Sequence, residues 1–255
     1  MLLYDLWIAQ FTLNLNGVES VCLILLAFKV HQKYPLIVAA NRDEYFARPT
    51  SAAHYWMDHP NIFGGRDLQE RGTWMGVTAT GRFAAVANWS RNNERASDYR
   101  SRGELVREFL LAEDKSLEYV RSIPYSDYRG CNLIVYDGVD LAFWSNHENF
   151  FTKFDPGYHV LTNANLDNNS PRAKSGLSQF KQLATKHETN SLLELLGPKK
   201  PSQDNDCFVL GDTYGTRSST ILFFSTTAIE VNEQQYGPKA RVGALIAEEI
   251  ALCTR

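Results

Sequence analysis

The 255-residue chain predicts an α+β fold in which one β-sheet packs on another and helices cover the outer faces. Three observations carry that expectation. Short apolar runs recur in pairs joined by turn residues; helical periodicity is confined to two stretches; and no repeat, low-complexity tract or linker divides the chain. With 44 % apolar and 22 % charged residues, a chain of this length can bury one large core.

The elements follow in order. "CLILLAFKV" (22–30) and "LIVAAN" (36–41), joined by "HQKYP", read as two strands buried on at least one face. "TWMGVTA" and "RFAAVAN" flank Thr80-Gly81, and "CNLIVYD" and "LAFWSN" flank Gly138-Val139; both pairs read as hairpins, because glycine takes the positive φ of a tight turn. "YHVLTN" follows Pro156-Gly157, and "TILFFST" pairs with "AIEVNE" across a short Thr-rich turn. A helix is expected after Ser101, with Leu105, Phe109 and Ala112 on one face and Glu104 three residues after Ser101, the capping-box spacing. Residues 171–196 read as two helices divided near Thr189-Asn190 and closed by Gly197-Pro198. Residues 197–206 read as a loop, and His54 and His59 as loop residues.

Composition excludes several function classes. Net charge is −3 and the Lys and Arg residues are scattered, which argues against a nucleic-acid partner. Cysteines at 22, 131, 207 and 253 form no C-x-x-C pair, as expected of free thiols in a reducing, cytoplasmic setting. The six histidines give no metal-ligand spacing, and neither a metal nor a cofactor is expected. G-x-S-x-G, G-x-x-x-x-G-K-[ST] and H-E-x-x-H are all missing, and the glycines at 64, 65, 72 and 76 do not space as a dinucleotide fingerprint. Residues 1–20 contain no Lys or Arg and carry Asp5 where a secretory signal needs positive charge. Asn14, Asn16 and Glu19 interrupt any transmembrane segment there.

Four segments look over-specified for loops: "AANRDEYFARPT" (39–50), "GGRDLQERGTWMG" (64–76), "AVANWSR" (85–91) and "VLTNANLD" (160–167). Polar side chains at neighbouring strand ends are a common way to build a site. Each residue also has a plain reading: Asn and Asp make turns after strands, and a free Cys in an apolar strand is usually an inert small hydrophobe.

These segments, with "CLILLAF", "SRGELVREFL", "GCNLIVYD" and "TRSSTILF", occur in the order seen in the NRDE family, named for the motif found here at Asn41–Glu44, which includes the transport and Golgi organisation protein 2 homologues. The resemblance covers about residues 21–230. Arg71, Trp89-Ser90 and Asn168–Ser170 depart from the family pattern. That family in turn resembles cysteine-type N-terminal nucleophile hydrolases such as choloylglycine hydrolases and penicillin V acylase. The resemblance implies a four-layer αββα sandwich and a site of Cys22, Arg42, Asp43, Asn88, Asn163 and Arg217.

Members of the family normally open Met-Cys, whereas here Val21 precedes Cys22. A GTG start codon read as internal would give that valine. Residues 1–20 are therefore expected to be an extension produced by start-site choice, and 21–255 a single domain. A free Cys22 would carry nucleophile and base in one residue, its amine (pKa about 7.7–8.0) taking the thiol proton (about 8.5). The resemblance then implies that Asp43 holds the amine, Arg42 and Arg217 favour the thiolate, and Asn88 and Asn163 donate to the oxyanion. The expected partner is a small amide, acyl or haem-like ligand. Two functions stay open: a hydrolase of a linear amide or acyl compound, or a non-catalytic carrier of haem or an acyl/lipid ligand on the same fold. A third reading keeps the extension as genuine and Cys22 as a remnant.

Overall fold

Alternation along the first strand organises the layers. The computed structural model describes residues 22–89, 99–164, 166–167, 170–199 and 207–253. In β1 (Leu23–Phe28) every residue is buried. Ile24, Leu26 and Phe28 point into a core shared by two sheets, while Leu23, Leu25 and Ala27 point into a second core beneath helices. A strand covered on both faces has no reason to alternate, so its sequence is continuously apolar.

The first sheet has six strands in the order β10-β1-β2-β11-β12-β13. These are β2 (Leu36–Tyr45), β10 (Gly157–Leu161), β11 (Tyr214–Phe224), β12 (Ala228–Gly237) and β13 (Arg241–Ala251), with β1. The second sheet runs in sequence order: β3 (Thr50–Tyr55), β4 (Ile62–Asp67), β5 (Met75–Thr78), β6 (Phe83–Asn88), β7 (Cys131–Tyr136), β8 (Leu141–Ser145) and β9 (Phe150–Lys153). Every strand pairing in both sheets is antiparallel. Helices α1 (Arg102–Leu111) and α2 (Ser116–Ser122) bury Leu105, Phe109 and Val120 against Leu133, Val135 and Trp144 of the second sheet. Helices α3 (Pro171–Leu183) and α4 (Thr189–Leu196) bury Phe180, Leu192 and Leu196 against the first. Three stacked cores thus make four layers, αββα, the α+β sandwich that was expected.

Most elements fall where the sequence places them, and Gly81 and Gly138 take φ of +82° and +95° at the two hairpin turns. The differences have local causes. Ser101 makes no side-chain cap bond, and Glu104 pairs with Arg100 instead of closing a capping box. The break between the last two helices comes at 184–188, with His187 at φ +49°, slightly before Thr189-Asn190. His54 belongs to strand β3, while His59 lies between strands. Of the 197–206 loop, residues 200–206 lie outside the described residues. The largest difference is β2, which runs on to Tyr45 instead of stopping at Asn41. Asn41, Arg42 and Asp43 therefore sit within a buried strand. Among the described residues no helix is long and apolar enough to cross a membrane.

Candidate active site

Strand register brings Cys22 and Arg42 together. β1 pairs with β2 as Leu23–Asn41 and Ile24–Ala40, so the next step outward sets Cys22 opposite Arg42. On its other side β1 pairs Ile24 with Leu161, and the same continuation sets Cys22 opposite Asn163. β2 in turn pairs Arg42 with Ser218 of β11. One row across the sheet therefore reads Asn163, Cys22, Arg42, Ser218. Alternation directs Cys22 toward the second sheet, where it packs against the inter-sheet core.

Cys22 and Arg42 of this row, with Ile24, Ala40 and Thr220, line one wall of a cleft, and Trp74, Met75 and Val86 line the other. Its empty space, open mouth included, is about 300 Å³. The Arg42 guanidinium lies 4.0 Å from the centre of the Trp74 ring, and its Nη2 is 3.6 Å from Glu44 Oε2. Stacking on an aromatic face holds a planar cation without spending its donors. At the two ends of the row, Asn163 Oδ1 and Ser218 Oγ are buried with no hydrogen-bond partner among the described residues. Such groups are uncommon in folded proteins, and here they flank the thiol–guanidinium pair.

The Trp74 ring is itself seated by a glycine. A Cβ on Gly65 would lie 2.3 Å from that ring. Gly65→Ala is expected to destabilise the fold by about 1–3 kcal/mol through overpacking and to tilt the ring away from Arg42, read as a lower urea midpoint with altered tryptophan fluorescence. A second close approach brings Gly72 to Gly103, with a Cβ on Gly72 placed 2.6 Å from the Gly103 backbone, and this ties the "RGTW" segment to the start of α1.

Thiol chemistry is set by opposing influences. Burial, then the negative charge of Asp43, push the Cys22 pKa up to about 11, while the Arg42 charge acts to lower it. Cys22 Sγ donates weakly to the Asp43 carbonyl, 3.7 Å away. Arg217 is held at the chain after β2. Its Nη1 donates to the Tyr45 and Arg48 carbonyls, bracing the chain after β2, and its charge is felt by Arg42.

Asp43 faces the other way. Its side chain is fully buried on the helix side of the sheet, where Oδ1 accepts from Thr216 Oγ1 at 2.6 Å and Oδ2 from Arg172 Nη2 at 2.8 Å. The carboxylate expected to hold the Cys22 amine is thus engaged elsewhere, because successive residues of a strand point to opposite faces. Burial pushes its pKa up, and Arg172 and Thr216 oppose that shift. Asn41 shares this face: its Nδ2 donates to the Leu196 and Cys207 carbonyls at 2.8 and 2.7 Å, and its Oδ1 accepts from Ser219. Asn88 ends β6, two residues beyond Val86, with its backbone paired to Cys131.

The geometry therefore brings Cys22, Arg42 and Asn163 into one row. Asn88 sits further along the facing sheet, and Asp43 and Arg217 take supporting positions. Sequence reasoning missed Arg172, Thr216 and Trp74. Arg172 follows the N1 proline of α3 and carries no local signal, since its partner is 129 residues away. Among the described residues, no group of three or more His, Cys, Asp or Glu side chains could hold a metal ion.

Comparison with known proteins gives the family of the chain. A Transport and Golgi organization protein 2 homolog from Bos taurus is 37% identical over 147 residues, 52% of each chain, so this chain's match spans about half the length of that relative. The Mus musculus homolog is 28% identical over 226 residues, 74% of this chain and 82% of that one. Among solved structures, a Caenorhabditis elegans N-acylethanolamine-hydrolyzing acid amidase ortholog superposes with a TM-score of 0.49 at 13% identity, covering 79% of this chain and 92% of that one. The family described as Transport and Golgi organisation 2 matches residues 21–237, and the chain belongs to that family.

Proposed function

We propose that the protein is a cysteine-type N-terminal nucleophile hydrolase acting on a linear amide or acyl compound, competent once Cys22 is the first residue of the chain. The observation that carries this reading is the row itself: a thiol beside a buried guanidinium on a cleft wall, with unspent polar atoms of Asn163 and Ser218 at either end.

In this scheme the freed α-amine takes the Cys22 thiol proton and the thiolate attacks the substrate carbonyl carbon. The carbonyl oxygen becomes an oxyanion that accepts from Asn163 Nδ2, with Asn88 Nδ2 as the donor from the facing sheet. Collapse breaks the carbonyl–nitrogen bond, and the leaving amine takes the proton from the α-ammonium. Water, deprotonated by the same amine, then hydrolyses the thioester and restores the thiol. Arg42 favours the ionised sulfur, Arg217 braces the strand end that carries Arg42, and Asp43 fixes that strand from behind.

A second reading has a specific observation in its favour. With residue 21 still attached, the thiol is desolvated and its pKa raised, so the cleft could serve a carrier in which Cys22 takes no part. The names of the relatives, which speak of transport and Golgi organisation, fit that reading equally well.

Chains beginning at Cys22 and at residue 1, each incubated with a series of N-acyl amides and analysed by intact mass, separate the two. The hydrolase reading expects a transient acyl adduct on Cys22 and free amine only from the shorter chain, both lost in Cys22→Ala. Ligand binding without turnover, unchanged in Cys22→Ala, sinks that reading in favour of the carrier.

A further inference from the structure

The sheet edges of this fold are unequal. β9, β10 and β3 are edge strands of four, five and six residues, whereas β13, the outer edge of the first sheet, has eleven. Long exposed edges are usually avoided, because their unpaired N–H and C=O groups template another strand. β13 is also apolar and open: Val242 and Leu245 are 64% and 54% exposed, and residues 241–245 are all exposed. Helices α3 and α4 pack over β10, β1, β2 and β11, and among the described residues the first half of β13 is exposed on both faces.

We infer that β13 is the interface of a two-fold symmetric dimer, in which β13 of one copy pairs antiparallel with β13 of a second copy of this chain.

The argument is self-complementarity. A bulge places Gly243 and Ala244 between Val242, opposite Tyr236, and Leu245, opposite Gln234. It sets Val242 and Leu245 on the same, helix-side face. Beyond it, Ala247 shares that face, while Glu248 turns toward the second sheet, where its Oε1 is 3.4 Å from the Tyr55 hydroxyl. A two-fold axis at Leu245, with the bulge counted as one position, sets Leu245 against Leu245 of the copy and Val242 against its Ala247. The same register sets Arg241 against Glu248 of the copy, twice, and both residues lie on the inter-sheet side. Apolar meets apolar on one face and opposite charges meet on the other, with no residue moved from the face it occupies. Other registers do worse: an axis at Glu248 opposes the glutamates to one another.

A single strand pair buries little area, so the dimer is expected to be of micromolar strength. The test is sedimentation velocity of the full chain and of the chain beginning at Cys22, from about 1 to 300 μM. The expected result is a concentration-dependent dimer in at least one of the two. Leu245→Lys, on an exposed side chain, is expected to weaken it at least tenfold with an unchanged melting temperature of the monomer. Glu248→Arg weakens it likewise, and adding Arg241→Glu restores it. A monomer at all concentrations in both chains, or a dimer indifferent to Leu245→Lys, overturns the proposal. The outcome does not depend on whether Cys22 is catalytic.

Discussion

Arg172→Gln is expected to cost roughly 3–5 kcal/mol of stability near neutral pH, the range for breaking one side of a buried ion pair. The pair links Arg172 Nη2 to Asp43 Oδ2 at 2.8 Å, with the carboxylate fully buried and the Arg172 side chain 12% exposed. Without the guanidinium, Asp43 keeps Thr216 Oγ1 as its one side-chain donor among the described residues. The pH dependence has a definite sign. Asp43 already has a folded-state pKa above its ordinary value, chiefly through burial. The folded state therefore holds that proton more tightly than the unfolded chain, and stability falls as pH rises from the ordinary carboxylate range through the raised value. Losing Arg172 raises the folded pKa further and widens that window. The deficit of Arg172→Gln in urea denaturation is thus expected to be small near pH 4.5 and full near pH 8. An equal deficit at both would show that Asp43 is not the group left uncompensated. The Asp43→Asn/Arg172→Gln double variant, which removes both charges, is expected to recover most of the loss at pH 8.

This pair also marks where sequence reading stopped. The layers were legible because their signal is local: runs such as "LILLAF" and "NLIVY", turn glycines, and the apolar faces of α1 and α3 are all carried within a few residues. β2 was cut short because Asn41, Arg42 and Asp43 look like a loop until their partners are known. Those partners, Ser219, Trp74, Thr216 and Arg172, lie between about 30 and 180 residues away in the chain. Local patterning has no access to such pairs, so polar residues inside a buried strand read as its end. The same limit applies to Asp43. Knowing that it belongs to a conspicuous motif says nothing about which face of the sheet receives its side chain. Strand β13 went unassigned for another reason. Its exposed apolar residues do not alternate with polar ones, because a bulge interrupts the pleat and neither face of its first half is covered. Asn163 and Cys22 could be named together from the motifs, but their adjacency follows only from the register of β1 with β10.

Alkylation of Cys22 by iodoacetamide is expected to separate the two forms of the chain by more than tenfold near pH 7.5. Cys131 and Cys207 are buried and Cys253 is exposed, so a Cys253→Ser background isolates the Cys22 signal. In the long chain the thiol pKa of about 11 leaves roughly three thiolates in ten thousand at that pH, about three hundredfold fewer than an ordinary thiol with a pKa of about 8.5. Its alkylation rate should climb tenfold per pH unit with no break below about pH 10. In the chain beginning at Cys22, the α-ammonium adds a positive charge one bond from Cα, and the profile is expected to break between about pH 7 and 9, where amine and thiol titrate together. Arg42→Gln removes the charge that acts to lower the thiol pKa and is expected to slow alkylation several-fold in both forms. Arg217→Gln is expected to change it far less, because that side chain braces Tyr45 and Arg48 and its charge is felt by Arg42. Identical profiles for the long and short chains would leave the α-amine without a role, and the thiol would then be an apolar wall residue of a binding cleft.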